Sequence, residues 1–364
     1  MKITDIKIGF ISVPLTTPFK TALRTVESVN DIIVEVHTDT GNIGYGEAAP
    51  TGVITGDTTG AIVGAIEDHI KKALINLEIE DIETIMIKLN NCIVNNNSAK
   101  AAVDIAIYDL FGQLHKSPIY KLLGGHKKEL TTDITISVNE PEEMAKDSIK
   151  AINLGYKTLK IKVGKDSKKD ILRMQAIRNA IGFNIDLRID ANQGWTPKEA
   201  VKAIRKMEDI GLNIEFVEQP VASHDLVGFK HVTDNVDTLT LADESVFSPM
   251  DALKILQQRA ADIINIKLMK TGGIYNALKI TSIAEVYGVE CMIGCMLEAK
   301  VSVTAAVHLA AAKSIITKID LDGPILCSKD PIIGGAIFNE YKITLNDDPG
   351  FGIKKINNMV YKGE

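Results

Sequence analysis

Residues 158–163 have the sequence TLKIKV, residues 185–190 have IDLRID, and residues 214–218 have IEFVE. Residues 239–243 (LTLAD) and 263–267 (IINIK) continue the pattern. Each apolar run ends at or beside a charged residue, and these residues are Lys162, Asp190, Glu218, Asp243 and Lys267. Successive positions lie 28, 28, 25 and 24 residues apart. A strand, a turn, a helix of about three turns and a second turn need roughly that length, so the spacing predicts repeated βα units.

Eight such runs lie between residues 134 and 320 of the chain. They are residues 135–138, 158–163, 185–190, 214–218, 239–243, 263–267, 290–294 and 315–320. Eight βα units close into a barrel whose strands all end at one face, where the catalytic groups of this architecture lie. Residues 196–199 (TPKE) form a capping box with proline at the first helical position, and residues 248–251 (SPMD) are a looser version. The sequence therefore predicts an α/β fold with a TIM-type (β/α) barrel.

The flanking segments do not follow the βα period. Residues 6–14, 31–36 and 43–47 predict an antiparallel meander, whereas residues 59–77 and 98–115 have apolar side chains at helical spacing. A length of 364 residues fits one barrel of about 200 to 250 residues plus a smaller domain. We expect an α+β capping domain over residues 1–125, the barrel over residues 126–325, and a C-terminal segment, residues 326–364, that returns to the cap and completes it.

Composition excludes several classes of protein. A net charge of −6 and the lack of a basic stripe argue against a nucleic-acid partner. No run is long and apolar enough to predict a membrane span, and the N-terminus shows no secretory signal. Four cysteines in such a chain predict reduced thiols. We therefore expect a cytoplasmic protein with no membrane partner.

Three carboxylates converge at the predicted barrel mouth. Asp190, Glu218 and Asp243 end three successive strands, and uncompensated acids so close together would repel one another. A hard divalent cation relieves that repulsion, and an all-oxygen set with positions left open for water and substrate suits Mg²⁺. No Cys or His joins the trio, which disfavours zinc. The alternative interpretation is that these acids cap the following helices, but Thr196 and Ser248 already fill two of those capping positions.

Lysines flank this trio on two sides of the barrel. Lys160 and Lys162 are two residues apart on the second strand, so both side chains point to the same face, into the barrel. Lys267 ends the sixth strand, across the barrel from them. A lysine acts as a base when its pKa is depressed, and we expect neighbouring positive charge and partial burial to do this. A metal with a lysine on each side of one carbon suits removal of a proton next to a carboxylate, with the metal stabilising the enolate. Return of a proton to the opposite face would invert configuration.

Five motifs carry a family resemblance. They are Lys160-Ile161-Lys162, Asp190-Ala191-Asn192-Gln193-Gly194-Trp195, Val217-Glu218-Gln219-Pro220, Ala242-Asp243-Glu244-Ser245 and Asn265-Ile266-Lys267-Leu268-Met269-Lys270. They resemble the muconate-lactonizing-enzyme subgroup of the enolase superfamily and, within it, most of all the L-Ala-D/L-Glu dipeptide epimerases. The likeness extends from residues 21–26 (TALRTV) to the Gly-rich tail. It implies an isomerase with one Mg²⁺ per subunit, in which Lys162 serves the S face of the substrate and Lys267 the R face.

The resemblance also implies how a dipeptide is recognised. Arg24, on a lid loop, would face the glutamate side chain, and Asp320 with Asp322 would hold the free ammonium group, which agrees with the bidentate and charge-assisted bonding of these groups. The motif Gly294-Cys295-Met296-Leu297-Glu298 resembles the seventh-strand end of these epimerases, and Ala299 departs from the serine expected next. The further candidates for substrate binding are Thr135, Lys160, Cys295, Met296 and Glu298. A plain surface arginine and a helix cap or surface pair are the alternative interpretations of Arg24 and of Asp320 with Asp322.

Three rival functions remain at this point. The first is a cycloisomerase or an o-succinylbenzoate-synthase-type lyase on the same barrel, whose substrate would carry no ammonium for Asp320 and Asp322 to bind. The second is an epimerase that acts on other dipeptides. The third is a non-catalytic barrel, which would not need the metal and base residues. The resemblance favours Mg²⁺-dependent epimerization of a small dipeptide, L-Ala-D/L-Glu from murein peptides of the cell wall. By analogy with the subgroup we also expect a homo-oligomer.

Overall fold

The capping domain begins with a three-stranded antiparallel meander. The computed structural model describes residues 1–21 and 23–363, so Ala22 of the motif at residues 21–26 lies outside the described residues. The strands are β1 (Ile3–Lys20), β2 (Thr25–Thr38) and β3 (Ile43–Ala48). They are longer than the sequence predicted, because β1 and β2 pair again beyond a register shift between Pro14 and Phe19. This extended arm carries the end of the hairpin to the barrel mouth.

Helices pack against the inner face of the meander. They are α1 (Thr59–Gly64), a π-helical turn (Ala65–Ile70), α2 (Lys71–Leu74), α3 (Ile82–Asn91), α4 (Asn97–Leu114) and α5 (Ile119–Leu122). The continuous helix predicted over residues 59–77 is therefore wrong at its end, because Asn76 adopts a φ of 69° and donates its amide to the Ile3 carbonyl. Gly46 lets α4 approach β3, since a Cβ there would lie 1.7 Å from the Ala102 carbonyl oxygen. The predicted meander and helices are thus confirmed as one α+β layer.

Eight parallel strands follow a short strand, β4 (Glu129–Thr131). They are β5 (Ile134–Ile136), β6 (Thr158–Lys162), β7 (Asp186–Asp190), β8 (Ile214–Glu218), β9 (Leu239–Ala242), β10 (Ile263–Ile266), β11 (Cys291–Gly294) and β12 (Ile316–Asp320). Neighbours in the chain are neighbours in the sheet from β5 to β12. The Asp133 amide donates to the Ile319 carbonyl over 3.3 Å and joins the first and last strands. The predicted α/β barrel is confirmed.

Helices surround the barrel between these strands. They are α6 (Pro141–Asn153), α7 (Ser167–Ile181), α8 (Pro197–Asp209), α9 (Leu226–Thr233), α10 (Pro249–Gln258), α11 (Leu268–Thr271), α12 (Ile274–Tyr287), α13 (Lys300–Ala312) and α14 (Gly323–Leu326). The capping box at Thr196 and Glu199 is present as predicted, and Ser248 caps α10 through the Asp251 amide. The first strand ends at Ile136 rather than Val138, because the Val138 amide donates to the Lys20 carbonyl of the cap.

The C-terminal segment adds short strands to both parts. They are β13 (Ile332–Gly334), β14 (Ile337–Asn339), β15 (Lys342–Thr344), β16 (Ile353–Ile356) and β17 (Val360–Tyr361). Strand β17 pairs with β1 and extends the cap sheet, as predicted for the tail, whereas β15 pairs with β4 beside the barrel. The domain boundaries at residues 125 and 325 stay predictions. Among the described residues no helix is both long and apolar enough to cross a membrane.

Candidate active site

The three predicted metal ligands lie side by side at the barrel mouth. Asp190 of β7 is in register with Glu218 of β8, and Asp243 follows directly after β9. All three side chains have no solvent exposure. Parallel strands in register bring their carboxyl ends together, which is why residues far apart in sequence meet here. The structure therefore brings the predicted trio into one buried group.

Lys160 occupies the centre of this group. Its Nζ lies 2.7 Å from Glu218 Oε2, 3.2 Å from Asp190 Oδ2 and 2.7 Å from Asp320 Oδ2. The lysine side chain is almost completely buried, so the interaction with the acids is poorly screened by solvent. One ammonium thus bridges the metal trio and the predicted ammonium-binding pair.

The two predicted bases lie on opposite sides of the barrel. Lys162 on β6 and Lys267 after β10 are separated by four places in the strand order. The Lys162 Nζ lies 2.6 Å from Asp190 Oδ2, and the Lys267 Nζ lies 2.7 Å from Asp243 Oδ2. The Phe19 ring of the cap covers Lys162, with its centroid 5.9 Å from Nζ. A substrate carbon between the lysines would therefore face one amine on each side.

The direction of the pKa shift at Lys160 and at Lys267 is opposite to the sequence prediction. Burial alone lowers the pKa of Lys267, but the Asp243 carboxylate outweighs it and raises the pKa above the ordinary value. Burial is likewise outweighed at Lys160, where Asp320 and Glu218 raise the pKa well above its usual range. The prediction of depressed lysine pKa values counted the neighbouring lysines and the cation. It did not count the carboxylates that contact the amines directly.

The carboxylates respond to burial and to these lysines in different degrees. Burial raises the pKa of Asp190, but Lys162 and Lys160 outweigh it and lower the pKa to about 2. Burial, reinforced by the Asp190 charge, raises the pKa of Glu218 to about 7. The pKa of Asp243 falls well below its usual range because Lys267 and Lys270 outweigh its burial. The trio is therefore held mostly by ionic contacts with lysine.

Donor chemistry at this site fits a hard cation. Glu218 Oε2 and Asp243 Oδ1 are buried and accept no hydrogen bond, although Lys160 and Lys270 ammoniums lie within 2.7 Å and 2.6 Å of them. Both atoms are paired with lysine ammoniums in this structure, and carboxylate oxygens of this kind are the ligands that Mg²⁺ prefers. Over residues 1–21 and 23–363, no three acidic, His or Cys side chains are oriented as a metal cluster. The lysines draw the carboxylates towards themselves, which accounts for that orientation.

A small cavity joins the barrel mouth to the cap. Its lining residues are Phe19, Thr21, Leu23, Arg24, Val53, Ile54, Thr135, Lys160, Lys162, Asn192, Lys267, Cys295, Met296, Leu297, Asp320 and Asp322. The enclosed volume is about 50 Å³, far below the roughly 300 Å³ or more of most small-molecule sites. A groove of about 530 Å³ between α14 and the tail is larger but contains none of the predicted catalytic residues. The predicted catalytic lysines therefore line the small cavity and not the larger groove.

Most of the predicted specificity residues line the cavity, and one does not. Arg24, Thr135, Cys295, Met296, Asp320 and Asp322 all line the cavity. The Thr135 amide donates to Asp322 Oδ2 over 2.8 Å, and burial together with Asp320 raises the pKa of Asp322 to about 6. Glu298 is not among the residues that line the cavity; it accepts the Met296 amide over 2.6 Å and the Ser302 hydroxyl, and its contact with substrate stays a prediction.

Sequence reasoning missed several residues of the site. Asn265 donates to Glu218 Oε1 over 3.0 Å, and Asn192 donates to Glu244 over 3.2 Å. The inward position of Asn265 could have been found from its i, i−2 relation to Lys267 on the same strand. Phe19, Leu23, Val53 and Ile54 come from cap loops, whose approach to the barrel has no periodic signal in the sequence.

Comparison with known proteins identifies the family. Residues 4–124 match the family described as Mandelate racemase / muconate lactonizing enzyme, N-terminal domain, and residues 143–356 match the one described as Enolase C-terminal domain-like. The chain is 64% identical to an L-Ala-D/L-Glu epimerase of Clostridium acetobutylicum over 98% of this chain and 100% of that protein.

Two solved structures extend the comparison. The substrate-liganded L-Ala-D/L-Glu epimerase from Bacillus subtilis is 51% identical and superposes with a TM-score of 0.96 over 98% of this chain and 99% of that one. The dipeptide epimerase from Enterococcus faecalis, complexed with Mg and L-Leu-L-Tyr, is 45% identical, with a TM-score of 0.94 over 98% and 100% of the two chains. The chain belongs to the mandelate racemase/muconate lactonizing enzyme family of the enolase superfamily.

Proposed function

We propose that this protein is a Mg²⁺-dependent dipeptide epimerase, an isomerase, with L-Ala-D/L-Glu as substrate. The observation that carries the proposal is the pair of buried lysines, Lys162 and Lys267, on opposite sides of one cavity that also contains Asp320, Asp322 and Arg24. The relatives with that activity match the chain over nearly its whole length, which supports the same chemistry. A cycloisomerase or lyase is not favoured, because its substrate carries no ammonium for the two aspartates.

Proton transfer is assigned to the two lysines. One amine, released from its carboxylate, takes the α-proton of the second residue from one face, and the other ammonium returns a proton to the opposite face. Each lysine has an acid partner at hydrogen-bond distance, Asp190 for Lys162 and Asp243 for Lys267, which holds the side chain in place before the substrate arrives. Inversion at the α-carbon follows because the two nitrogens lie on opposite strands of the barrel.

Asp190, Glu218 and Asp243 would hold one Mg²⁺ per subunit. The burial of the three carboxylates side by side at the barrel mouth supports this assignment, as does the Mg in the related E. faecalis structure. Bound there, the cation supplies positive charge beside the substrate carboxylate, where charge develops as the α-proton leaves. Lys160, at the centre of the trio, would add a second positive charge on the same side.

Recognition of the dipeptide ends is assigned to the barrel and to the cap. Asp320 and Asp322 would bind the free ammonium, and Arg24 would bind the side-chain carboxylate of the second residue. Burial lowers the pKa of Arg24, and the Asp31 carboxylate partly offsets this effect. Leu23, Val53 and Ile54 add apolar surface beside Arg24, so an apolar second residue is the alternative substrate class. Epimerization of other dipeptides by the same residues is the second candidate function.

The cellular setting is part of the same proposal. We infer that the enzyme works in the cytoplasm on dipeptides released from cell-wall peptides, and that it assembles as a homo-oligomer. All four cysteines are free thiols in the structure, which agrees with a reducing compartment. The division into residues 1–125, 126–325 and 326–364 belongs to this proposal as well.

The test of the proposed function is epimerization of a dipeptide library. Purified protein is incubated with L-Ala-L-Glu, L-Ala-L-Leu, N-acetyl-L-Ala-L-Glu and a muconate, with Mg²⁺ or with excess chelator, and the products are separated by chiral chromatography. We expect conversion of L-Ala-L-Glu to L-Ala-D-Glu only with Mg²⁺, and a loss of activity on the acetylated dipeptide. Equal turnover in chelator, or turnover of the muconate alone, would contradict the proposal.

The role of Arg24 is tested with the same library. Arg24→Met removes the charge but keeps a long apolar side chain, so kcat/KM for L-Ala-L-Glu should fall by about 10- to 150-fold, the cost of a charge-assisted hydrogen bond. Activity on L-Ala-L-Leu should change by less than about 3-fold. Equal losses on both dipeptides would show that Arg24 holds the lid and does not read the substrate.

A further inference from the structure

The end of the β1–β2 hairpin, which we call the lid, closes the cavity from the cap side. The lid consists of Phe19, Lys20, Thr21, Leu23 and Arg24, and four of these residues line the cavity. Thr21 shapes its turn, since its amide donates to the Arg24 carbonyl over 3.0 Å and its hydroxyl accepts the Leu23 and Arg24 amides. Lys20 is the lid residue that does not line the cavity. The contacts of Lys20 therefore show how the lid is attached to the barrel.

Lys20 binds the loop that follows the first barrel strand. Its amide donates to Ser137 Oγ over 3.0 Å, its carbonyl accepts the Val138 amide over 3.2 Å, and its Nζ donates to Asn139 Oδ1 over 3.1 Å. Successive residues of a strand point in opposite directions, so Phe19 faces Lys162 while Lys20 faces this loop. Three bonds thus join the lid to the barrel at one residue.

A buried ion pair holds Asn139 from the other side. Arg173 Nε donates to the Asn139 carbonyl over 2.8 Å, and Arg173 Nη1 donates to Asp170 Oδ1 over 2.6 Å. Asp170 has no exposed surface, and Arg173 is 5% exposed. Burial of such a pair costs desolvation free energy that its own attraction does not reliably recover, so a role in holding a particular geometry is expected.

The same carboxylate reaches the loops next to the catalytic residues. Asp170 Oδ2 accepts the Gly164 amide over 3.0 Å and the Trp195 indole N–H over 3.2 Å. Gly164 follows Lys162 by two residues, and Trp195 lies in the loop after Asp190. One continuous set of hydrogen bonds therefore runs from the lid through Asn139, Arg173 and Asp170 to the ends of β6 and β7.

We propose that Asn139 is a positioning residue that seats the lid over the substrate cavity, and that the Arg173–Asp170 pair fixes this seat relative to the loops after Lys162 and Asp190. Asn139 suits this role because its side chain binds the lid while its carbonyl binds the barrel. With the lid in this seat the cavity measures about 50 Å³, so a lid that leaves the seat and returns to it would admit a substrate and then cover it. The seat therefore sets how firmly Phe19 and Arg24 cover a bound substrate.

The proposal is tested first without substrate, by hydrogen exchange of the lid amides. In Asn139→Ala and in Lys20→Met, the Lys20 and Thr21 amides should exchange about 3- to 10-fold faster than in the native protein, as expected for loss of one hydrogen bond. The matched control is Lys7→Met, an exposed lysine on the same strand, which should leave these rates unchanged. Unchanged exchange in both lid-seat variants would overturn the proposal.

Kinetics of the same variants test the functional consequence. This part rests on the proposed dipeptide activity, whereas the exchange measurement does not, so an inactive native protein would count against the function and leave the seat testable. We expect KM for L-Ala-L-Glu to rise about 3- to 10-fold with a smaller change in kcat, since substrate cover and not proton transfer is weakened. The double variant Lys20→Met/Asn139→Ala should be no worse than the more affected single variant. Additive effects would show that the two side chains do not act together, and would overturn the proposal.

The Arg173→Lys variant tests whether the Arg173–Asp170 pair positions the lid or only stabilises the fold. The lysine can keep an ion pair with Asp170 but lacks the planar fork that also reaches the Asn139 carbonyl. Lid exchange and KM should therefore change as in Asn139→Ala. If this variant is too unstable to purify, the Lys20 and Asn139 variants still decide the question, because both residues are partly exposed. Native KM and native lid exchange in a folded Arg173→Lys protein would contradict the role of the pair.

Discussion

The barrel interior has two layers that share the same strands and differ in chemistry. Phe216, Leu241, Ile263 and Met292 form a separate apolar cluster, contributed by four neighbouring strands. Two residues further along each of these strands lie Glu218, Asp243, Asn265 and Gly294. Strand alternation alone produces this arrangement, since residues two apart face the same side. One step to the next inward-facing position therefore leads from an apolar core to a layer of polar and charged groups.

The comparison shows how the charged layer is tolerated. The four apolar side chains below it are almost completely buried, so they stabilise the barrel through the hydrophobic effect and need no polar partners. In the upper layer Asp190, Glu218, Asp243 and Asp320 each have a lysine within hydrogen-bond distance. Removal of one partner would leave an uncompensated buried charge. We expect substitutions below to affect stability and substitutions above to affect activity, with some loss of stability where a pair is broken.

The largest effect is expected at Lys267. Lys267→Ala removes the base for one face, and kcat for epimerization of L-Ala-L-Glu should fall by at least about 10³-fold, within the range typical of general acid–base residues. The control is Lys254→Ala, an exposed lysine on α10, which should retain native kcat. Both are measured by chiral chromatography with saturating Mg²⁺. A Lys267→Ala enzyme within 10-fold of native kcat would remove the distinction between the two layers.

Met292→Ala tests the lower layer. Met292 is fully buried, and truncation of such a side chain should lower the free energy of unfolding by about 2–5 kcal/mol. Met250→Ala, at a side chain that is 57% exposed, is the matched control and should change it by less than about 0.5 kcal/mol. Urea unfolding and kcat are measured together. A loss of kcat above about 10-fold in folded Met292→Ala protein would show that the apolar layer also positions the catalytic groups.

A smaller effect is expected at Asp322, at the edge of the charged layer. Asp322→Asn keeps an oxygen for the Thr135 amide but loses the charge for the substrate ammonium, so kcat/KM should fall by about 10- to 150-fold. The free energy of unfolding should change little, since Asp322 forms no ion pair among the described residues. Asp234→Asn, on the surface, is the control. An unchanged ratio of activities on free and N-acetylated dipeptide in Asp322→Asn would refute the ammonium site.

The effect that is smallest at neutral pH is expected outside both layers, at His308 of α13. Burial lowers the pKa of His308 to about 3, and its Nδ1 accepts the Tyr120 amide over 3.1 Å. Below pH 6.5 the unfolded chain binds a proton that the folded protein refuses, so stability should fall by up to about 1.4 kcal/mol per pH unit as pH decreases from 6.5 towards 3. His308→Asn keeps an acceptor and should flatten this slope, whereas exposed His231→Asn should not. Identical slopes in all three proteins, from urea unfolding at several pH values, would contradict this assignment.

Much of the fold and of the site could be predicted from sequence. The period of charged strand ends located Lys162, Asp190, Glu218, Asp243 and Lys267, because βα repeats impose a fixed spacing and a common face. The residues that the cap contributes to the cavity were harder to predict, because Phe19 and Val53 reach it on segments whose course depends on tertiary contacts. Glu298 does not line the cavity, and the sequence could not show this because it does not specify the direction of a side chain after a strand ends.

Protonation was the other limit of prediction. The sequence alone predicts that the three converging acids repel one another. In the structure Asp243 contacts both Lys267 and Lys270, so Asp243→Asn would leave two buried ammoniums without their carboxylate. Pairing distances decide the sign of such an effect, and these depend on side-chain positions that no sequence motif specifies.

Stereospecific exchange of the substrate α-proton tests the two-lysine arrangement most directly. Lys162→Ala and Lys267→Ala proteins are incubated with L-Ala-L-Glu and, separately, with L-Ala-D-Glu in deuterated buffer with Mg²⁺, and deuterium at the glutamate α-carbon is measured by mass spectrometry. Lys267→Ala should exchange only one epimer, and Lys162→Ala only the other, with no epimerization by either. Exchange of both epimers at equal rates by either variant would contradict the assignment of one lysine to each face.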